Sequence, residues 1–367
     1  MPKQNTRITV GLSGGVDSSV AAALLKDQDY DVTGITMEIF DGSVEIQETG
    51  KHACYGPGEQ EDIETAASIC KKLDIPFHVI DLKKEYRLHV IDYFKQAYLA
   101  GTTPNPCVVC NQKLKFGFLL EKARDIGIQF DAFATGHYAQ IVEYNGRHVL
   151  KKAADPFKDQ TYFLYMLTSD QLSHTRFPLG AYTKQETRKI ARRLGLETAN
   201  RIESQDFIAG GDYTALFDGM EFSEGDIVDE SGSVLGKHRG IVHYTLGQRH
   251  GLGIAADRPL YVLKIDPENN RIVAGGKEQL FSAGLIASDL NLTGLEELDR
   301  SYDIKAKIRL NHNEVDAVVS PHERGKAHIR FREPQMAITP GQSVVMYSND
   351  IVLGGGIIEK VIPLADK

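Results

Sequence analysis

Apolar and polar positions along the first two hundred residues switch repeatedly between two periods. "RITVGL" is a short apolar run ending in glycine and then leucine, and "DSSVAAALLKDQ" after it carries a helical stripe through Val20, Leu24 and Leu25. "DVTGITMEIF" reads as a second strand, and "EDIETAASICKKLDIP" as a helix with Ile63, Ala66, Cys70 and Leu73 on one face. "FHVIDL" and "DAFATG" are further strands. "TKQETRKIARRLG" is a helix opened by a Thr183-x-x-Glu186 capping box and closed by Gly195. Strands alternating with helices predict an α/β fold, a doubly wound parallel sheet of Rossmann-like form.

After about residue 205 the pattern changes. Glycine-rich turns separate short segments such as "GDIVDESGSVLG" and "PLYVLKIDPENNRIVAGG", with "DPENN" as a hairpin loop. From about 280 the segments alternate as short strands do: "YDIKAKIRL", "EVDAVVS", "KAHIRF", "QSVVMYS" and "IVLGGGIIEKVI". A small β-barrel or sandwich is expected there. The boundaries drawn are 1–205 for the α/β domain, 206–278 for a small central domain and 279–367 for a C-terminal β-barrel.

A length of 367 residues is too great for one ordinary core and fits this division. The apolar and charged fractions, 42% and 25%, are those of a soluble globular chain. No apolar run is long enough to span a membrane, and "MPKQNTRITV" lacks the apolar core of a secretory signal. With only four cysteines, a reducing, cytoplasmic setting is expected. The formal net charge of −8 counts against a surface that is basic throughout, without excluding a local basic face in "TKQETRKIARRLG" or "GKHRG". A solvated helix face and a polar turn explain those two stretches equally well.

"GLSGGVDSSV" follows the first strand directly. Gly14 and Gly15 permit positive φ and close approach of the backbone to an anion, and the N-terminus of the next helix faces the same point. Such a cradle lies at the carboxyl edge of the sheet, where open α/β folds bind ligands. It lacks the lysine and spacing of the kinase and GTPase loop. The order S-G-G-x-D-S, on Ser13, Gly14, Gly15, Asp17 and Ser18, resembles the PP-loop of the ATP pyrophosphatases, and Gly11 just before it is expected in the same nucleotide site. The resemblance implies cleavage of ATP between the α and β phosphates, with Asp17 as a ligand for Mg²⁺. On a surface loop, loss of Asp17 is expected to cost little stability.

Beyond this loop, "TTPNP" with "CN" and "KF", then "ATGHYA", "KDQTYFL", "ESQD", "YTLGQRHGLGI", "ITPGQ" and "LGGGIIE" occur in order from residue 11 to about 359. In this the chain resembles the tRNA-specific 2-thiouridylases. The resemblance implies replacement of O2 of the wobble uridine of tRNA by sulfur after ATP has activated it. It places Met37 and Gly136 in the adenosine pocket and Asn105 and Pro106 beside the flipped-out base. It also places His137, Lys158, Asp159, Gln160, Arg309 and Gln342 among the tRNA contacts, with Leu310 at a position that can be aromatic. A satisfied loop histidine and a charged turn account for His137 and for residues 158–160 otherwise.

The chain departs from the family in its cysteines. Where that pattern has D-x-x-C in the NP loop and a second cysteine in a later S-x-x-I-C-F segment, here Cys107 replaces the aspartate, Cys110 remains, and "ESQDFIAGGDY" lacks the later cysteine. Three readings follow. Cys54, Cys107 and Cys110 hold a [4Fe-4S] cluster that delivers sulfur. Cys107 and Cys110 form a redox or persulfide pair. A zinc ion, with His52, is the third. Cys70, on an apolar helix face, is a buried core residue. The sulfur donor, sulfide or a carrier protein, is not legible. The rival functions are a PP-loop ligase or amidotransferase acting on a metabolite, and a tRNA-binding scaffold without catalysis.

Overall fold

A computed structural model describes residues 6–46, 53–201, 206–209, 213–323 and 325–364. It divides into two compact units. The first comprises Met1–Val90, Cys107–Ala215 and Asp350–Val352, and the second Ile91–Pro106, Leu216–Asn349 and Leu353–Lys367.

In the first unit, strands β1 (Arg7–Gly11), β2 (Asp31–Glu38), β3 (Ala53–Tyr55), β4 (Phe77–Asp81), β5 (Ala132–Thr135), β6 (Gln140–Tyr144), β7 (Arg147–Lys151), β8 (Thr175–Arg176) and β9 (Asp206–Ile208) follow in order. Five of them form the parallel sheet expected from the pattern, in the order β4-β2-β1-β5-β8. Strand β1 is covered on both faces, with Val10 fully buried, which is why its sequence is apolar without alternation. Neighbours β2 and β5 lie on opposite sides of β1, and Gly11 is level with both Ile35 and Thr135. The sheet therefore reverses its order at the carboxyl end of β1, which opens a crevice there.

Helix α1 (Val16–Asp27) leaves that crevice, buries Ala22 and Leu25 against the sheet, and packs Val16 and Val20 with Tyr138, Leu179 and Ala191. Helix α2 (Glu59–Leu73) packs beside it. Cys70 is 1% exposed, and a Cβ at Gly34 would stand only 2.6 Å from its Sγ. Burial pushes this thiol up to about 12. The apolar-face reading of Cys70 is thus realised. The Thr183–Glu186 capping box is also formed in both directions, at the start of the helix Lys184–Arg193. A hairpin of β6 and β7, turned on Asn145 and Gly146 with φ of 52° and 73°, was not foreseen.

In the second unit, β10 (Gly225–Val228), β11 (Val234–His238), β12 (Tyr261–Asp266) and β13 (Arg271–Gly275) form a sheet ordered β11-β10-β13-β12. Antiparallel β12 and β13 flank the "DPENN" loop as expected. Strands β14 (Phe281–Asn291), β15 (Tyr302–Lys307), β16 (Val315–Pro321), β17 (Ala327–Met336), β18 (Ser343–Ser348) and β19 (Ile351–Pro363) run in the order β14-β17-β16-β15-β18-β19. Pairing of β19 with β14 closes them into a barrel. Alternate residues such as Ala317, Val319, Ile329 and Phe331 fill its core.

Candidate active site

The carboxyl ends of β1, β2 and β5 surround a cavity of about 250 Å³. Gly11, Leu12, Ser13, Asp17 and Ser18, from the end of β1 to the start of α1, form part of its lining. Gly14 has φ +66°, and a Cβ there would stand 2.6 Å from the Asp62 carbonyl oxygen, so glycine is required. Gly15, expected to share the positive φ, is extended instead, with φ −88° and ψ 164°, because it caps α1. The loop is tied to itself: Ser13 N donates to Ser18 Oγ at 3.2 Å, and Ser19 Oγ donates to Gly15 O at 2.8 Å. Arg201 Nη1 donates to Gly14 O at 2.9 Å, and its other nitrogen bonds Asp62. At Gly136 a Cβ would lie 2.5 Å from Ser18 N, so the end of β5 and the start of α1 are in direct backbone contact. Gly11 and Met37 line the same cavity.

Asp17 is less exposed than a surface loop would make it. Lys184 Nζ donates to both of its carboxylate oxygens at 2.8 Å, and Tyr138 Oη lies 2.9 Å from Oδ1. Side-chain exposures are 28% for Asp17 and 10% for Lys184. Removing Asp17 takes two hydrogen bonds and a counter-charge from an ammonium that is only 10% exposed, a larger cost than the surface-loop expectation allowed. Lys184 was missed from sequence, since 167 residues separate it from its partner.

The opposite wall carries the thiols. Cys54 lies in β3 and is exposed, Cys107 is half-buried in a turn of α-helix (Pro106–Val109), and Cys110 is buried. Cys110 begins a nine-residue π-helical stretch, Cys110–Phe118. In an α-helix, residues five apart point about 140° away from each other. The i→i+5 bonding of a π-helix closes about one turn over that interval, so Cys110 and Lys115 share a face. Both line the cavity, as does Cys54. Burial pushes the Cys110 thiol up to about 11, opposed by the charge of Lys115. Burial acts to lower Lys115, yet Cys110, Cys54 and Cys107 raise it overall, so all three thiols act on this one ammonium. The same three act on Tyr86, which stacks on Tyr55 at 5.3 Å. Among the described residues, no three His, Cys, Asp or Glu side chains stand in a preformed metal-binding group.

His137 lines the cavity with its Nδ1 2.7 Å from Thr135 Oγ1. Burial, with Lys115 adding to it, holds this imidazole well below its ordinary value, so it is neutral and suits a base better than a phosphate. Glu59, also missed, receives Ile39 N and Phe40 N at 2.8 and 3.0 Å, and burial raises its carboxyl. Gln160 lines the cavity and accepts from Tyr138 N at 2.8 Å. Asp159 accepts from Ala153 N and from Thr161 Oγ1, and Lys158 is half-buried. Residues 202–205, most of "ESQD", and His52 lie outside the described residues.

In the second unit, Gln342 Nε2 donates to the carbonyls of Thr103 and Pro104 at 3.1 and 2.8 Å, and so holds the "TTPNP" loop. A Cβ at Gly341, with φ +90°, would meet Thr103 O at 2.8 Å. Asn105 and Pro106 are buried. Arg309 Nη2 is 3.5 Å from Met336 O, and Leu310 is exposed. The loop 249–260, which includes "GQRHGLG" from Arg249 on, borders an open cavity of about 450 Å³ bearing Arg249 and Arg258.

Comparison with known proteins assigns each part. Residues 6–209 match the family model described as the tRNA methyl transferase HUP domain. Residues 215–276 match the tRNA methyl transferase PRC-barrel domain, and 282–358 the aminomethyltransferase beta-barrel domain. The chain is 44% identical over 361 residues to the tRNA-specific 2-thiouridylase MnmA of Clostridium perfringens, covering 97% of this chain and 99% of that one. It is 46% identical over 361 residues to the protein of the same name from Acetivibrio thermocellus, covering 96% and 99%. A solved 4-thiouridine synthetase–RNA complex with bound ATP aligns over 56% of this chain and 46% of that one, at 15% identity and a TM-score of 0.36, too slight a likeness to bear on function.

Proposed function

The chain belongs to the tRNA-specific 2-thiouridylase family, and on that premise we propose that it thiolates C2 of the wobble uridine of tRNA through an adenylated intermediate. The uridine O2 attacks the α-phosphorus of ATP and pyrophosphate leaves. A sulfur nucleophile then adds at C2, and AMP departs with the former O2. The backbone donors of residues 13–15 and the N-terminus of α1 receive the phosphates. Met37 and Gly136 border the adenosine, and neutral His137 offers a hydrogen bond to a base. Asp17 lines the cavity and stays 28% exposed while bonded to Lys184, so it would hold Mg²⁺ there, and the ion would offset charge on the leaving pyrophosphate. The observation that carries the reading is the meeting of this cradle with Cys110 and Lys115 in one cavity. Among the described residues no helix is long and apolar enough to cross a membrane, and a cytoplasmic enzyme supplied by sulfide or a carrier protein is the setting proposed.

For the sulfur step, the donor set of Cys54, Cys107 and Cys110 suits a [4Fe-4S] cluster in chemistry, and Cys54 and Cys110 both line the cavity. Such a cluster supplies an open iron site for hydrosulfide. Support for Cys54 comes from β3, which pairs in parallel with β9, Ala53 level with Asp206 and Tyr55 with Ile208. Strand β9 continues from "ESQD", the segment that lacks the family's later cysteine, so Cys54 stands beside the gap. A Cys107–Cys110 relay is the second reading, favoured by their positions one helical turn apart. Anaerobic reconstitution followed by iron and sulfide analysis separates the two. The cluster requires Cys54→Ala to lose both the iron chromophore and thiolation, and full activity in that variant favours the relay.

A further inference from the structure

The ring of Phe157 is 94% exposed. So complete an exposure leaves both faces of the ring open to a flat partner. The backbone beneath it is fixed. Phe157 N donates to Asp155 Oδ1 at 3.0 Å, and Lys158 N to Asp155 O at 3.1 Å. Asp155 is buried, and its other oxygen accepts from Lys184 N at 2.9 Å. Pro156 further restricts the turn. The ring is therefore held out on a rigid turn, not carried on a loose loop.

Two features of the surroundings identify what such a ring meets. Lys151, Lys152 and Lys158 flank it in sequence, which favours an anionic partner. The segment then runs by way of Asp159 to Gln160 in the wall of the cavity, so the ring is three residues along the chain from that wall. Exposed aromatics beside cations are how proteins hold unpaired RNA bases. We propose that Phe157 is a stacking platform for an unpaired tRNA base neighbouring the target uridine. The assignment rests on the tRNA-thiolation reading above.

The chain contains no tryptophan, so Phe157→Trp introduces a single indole at the proposed platform. The probe is an unmodified anticodon stem-loop transcript, titrated into wild type, Phe157→Trp and Phe157→Ala, with ATP affinity measured alongside. The expected result is saturable quenching of the indole, RNA binding by Phe157→Trp close to that of wild type, and binding by Phe157→Ala weaker by roughly tenfold with ATP affinity unchanged. Binding by Phe157→Ala as tight as wild type, or an indole that does not respond while RNA binds, overturns the proposal. If Phe157→Ala keeps RNA binding but loses sulfur transfer from a carrier protein, the ring contacts that protein and the proposal fails. Wild type that binds no RNA refutes the underlying reading, and the platform with it.

Discussion

The wall formed by Ser13, Asp17 and Ser18 and the wall carrying Cys54 and Cys110 share one cavity but are held differently. In the first, hydrogen bonds that need no ligand fix the residues in place: Ser13 N donates to Ser18 Oγ, Ser18 Oγ to Gly15 O, Arg201 to Gly14 O and Lys184 to Asp17. In the second, a widened helix and a lysine bring thiols together without a preformed metal-binding group among the described residues. A rigid cradle suits a substrate whose phosphates do not vary. Thiols that gather around one ammonium suit a group that must arrive, react and leave. On this view adenylation and sulfur delivery are separable functions of adjoining walls.

The substitution that breaks the first wall has the largest expected effect. Asp17→Asn removes the charge that Lys184 meets there. It should abolish tRNA-dependent pyrophosphate release and lower stability by about 2 kcal/mol, less than for a fully buried pair because Asp17 is 28% exposed. Denaturant unfolding and a pyrophosphate assay read the two effects. Wild-type pyrophosphate release in this variant sinks the assignment of the loop.

The next expected effect is confined to the second wall. In the iron-free protein, alkylation of Cys110 should rise with pH toward about 11, since burial keeps the thiol protonated at neutrality. Lys115 opposes that shift, so Lys115→Met should move the profile to still higher pH and slow thiolation roughly tenfold, an effect on the order of one pKa unit. ATP binding should change little. An unaltered alkylation profile removes Lys115 from the thiol wall.

The smallest effect belongs to the cysteine outside both walls. Cys70→Ala, in the core against Gly34, should cost about 1–2 kcal/mol in unfolding experiments and leave thiolation intact. Loss of thiolation at full stability contradicts its exclusion from the sulfur chemistry.

Much of the first wall was legible because its signals are local. An apolar run, two glycines and a helix start place the cradle, and the Thr183–Glu186 box marks a real helix start. Partners far apart in the chain were not legible. Lys184 meets Asp17 across 167 residues, and Gln342 meets Thr103 across 239. Residues 110–118 have no composition that separates a π-helix from an α-helix, so the pairing of Cys110 with Lys115 required the structure. Asn145-Gly146 is a strong local turn signal, and the hairpin there was within reach of the sequence.

The separation of the two walls is tested most directly by Cys110→Ala, assayed with radiolabelled ATP and unmodified tRNA. Pyrophosphate release and 2-thiouridine are measured in the same reaction. The expected result is tRNA-dependent pyrophosphate release close to that of wild type, with no 2-thiouridine formed. Loss of both signals together, or 2-thiouridine formed without this thiol, contradicts it.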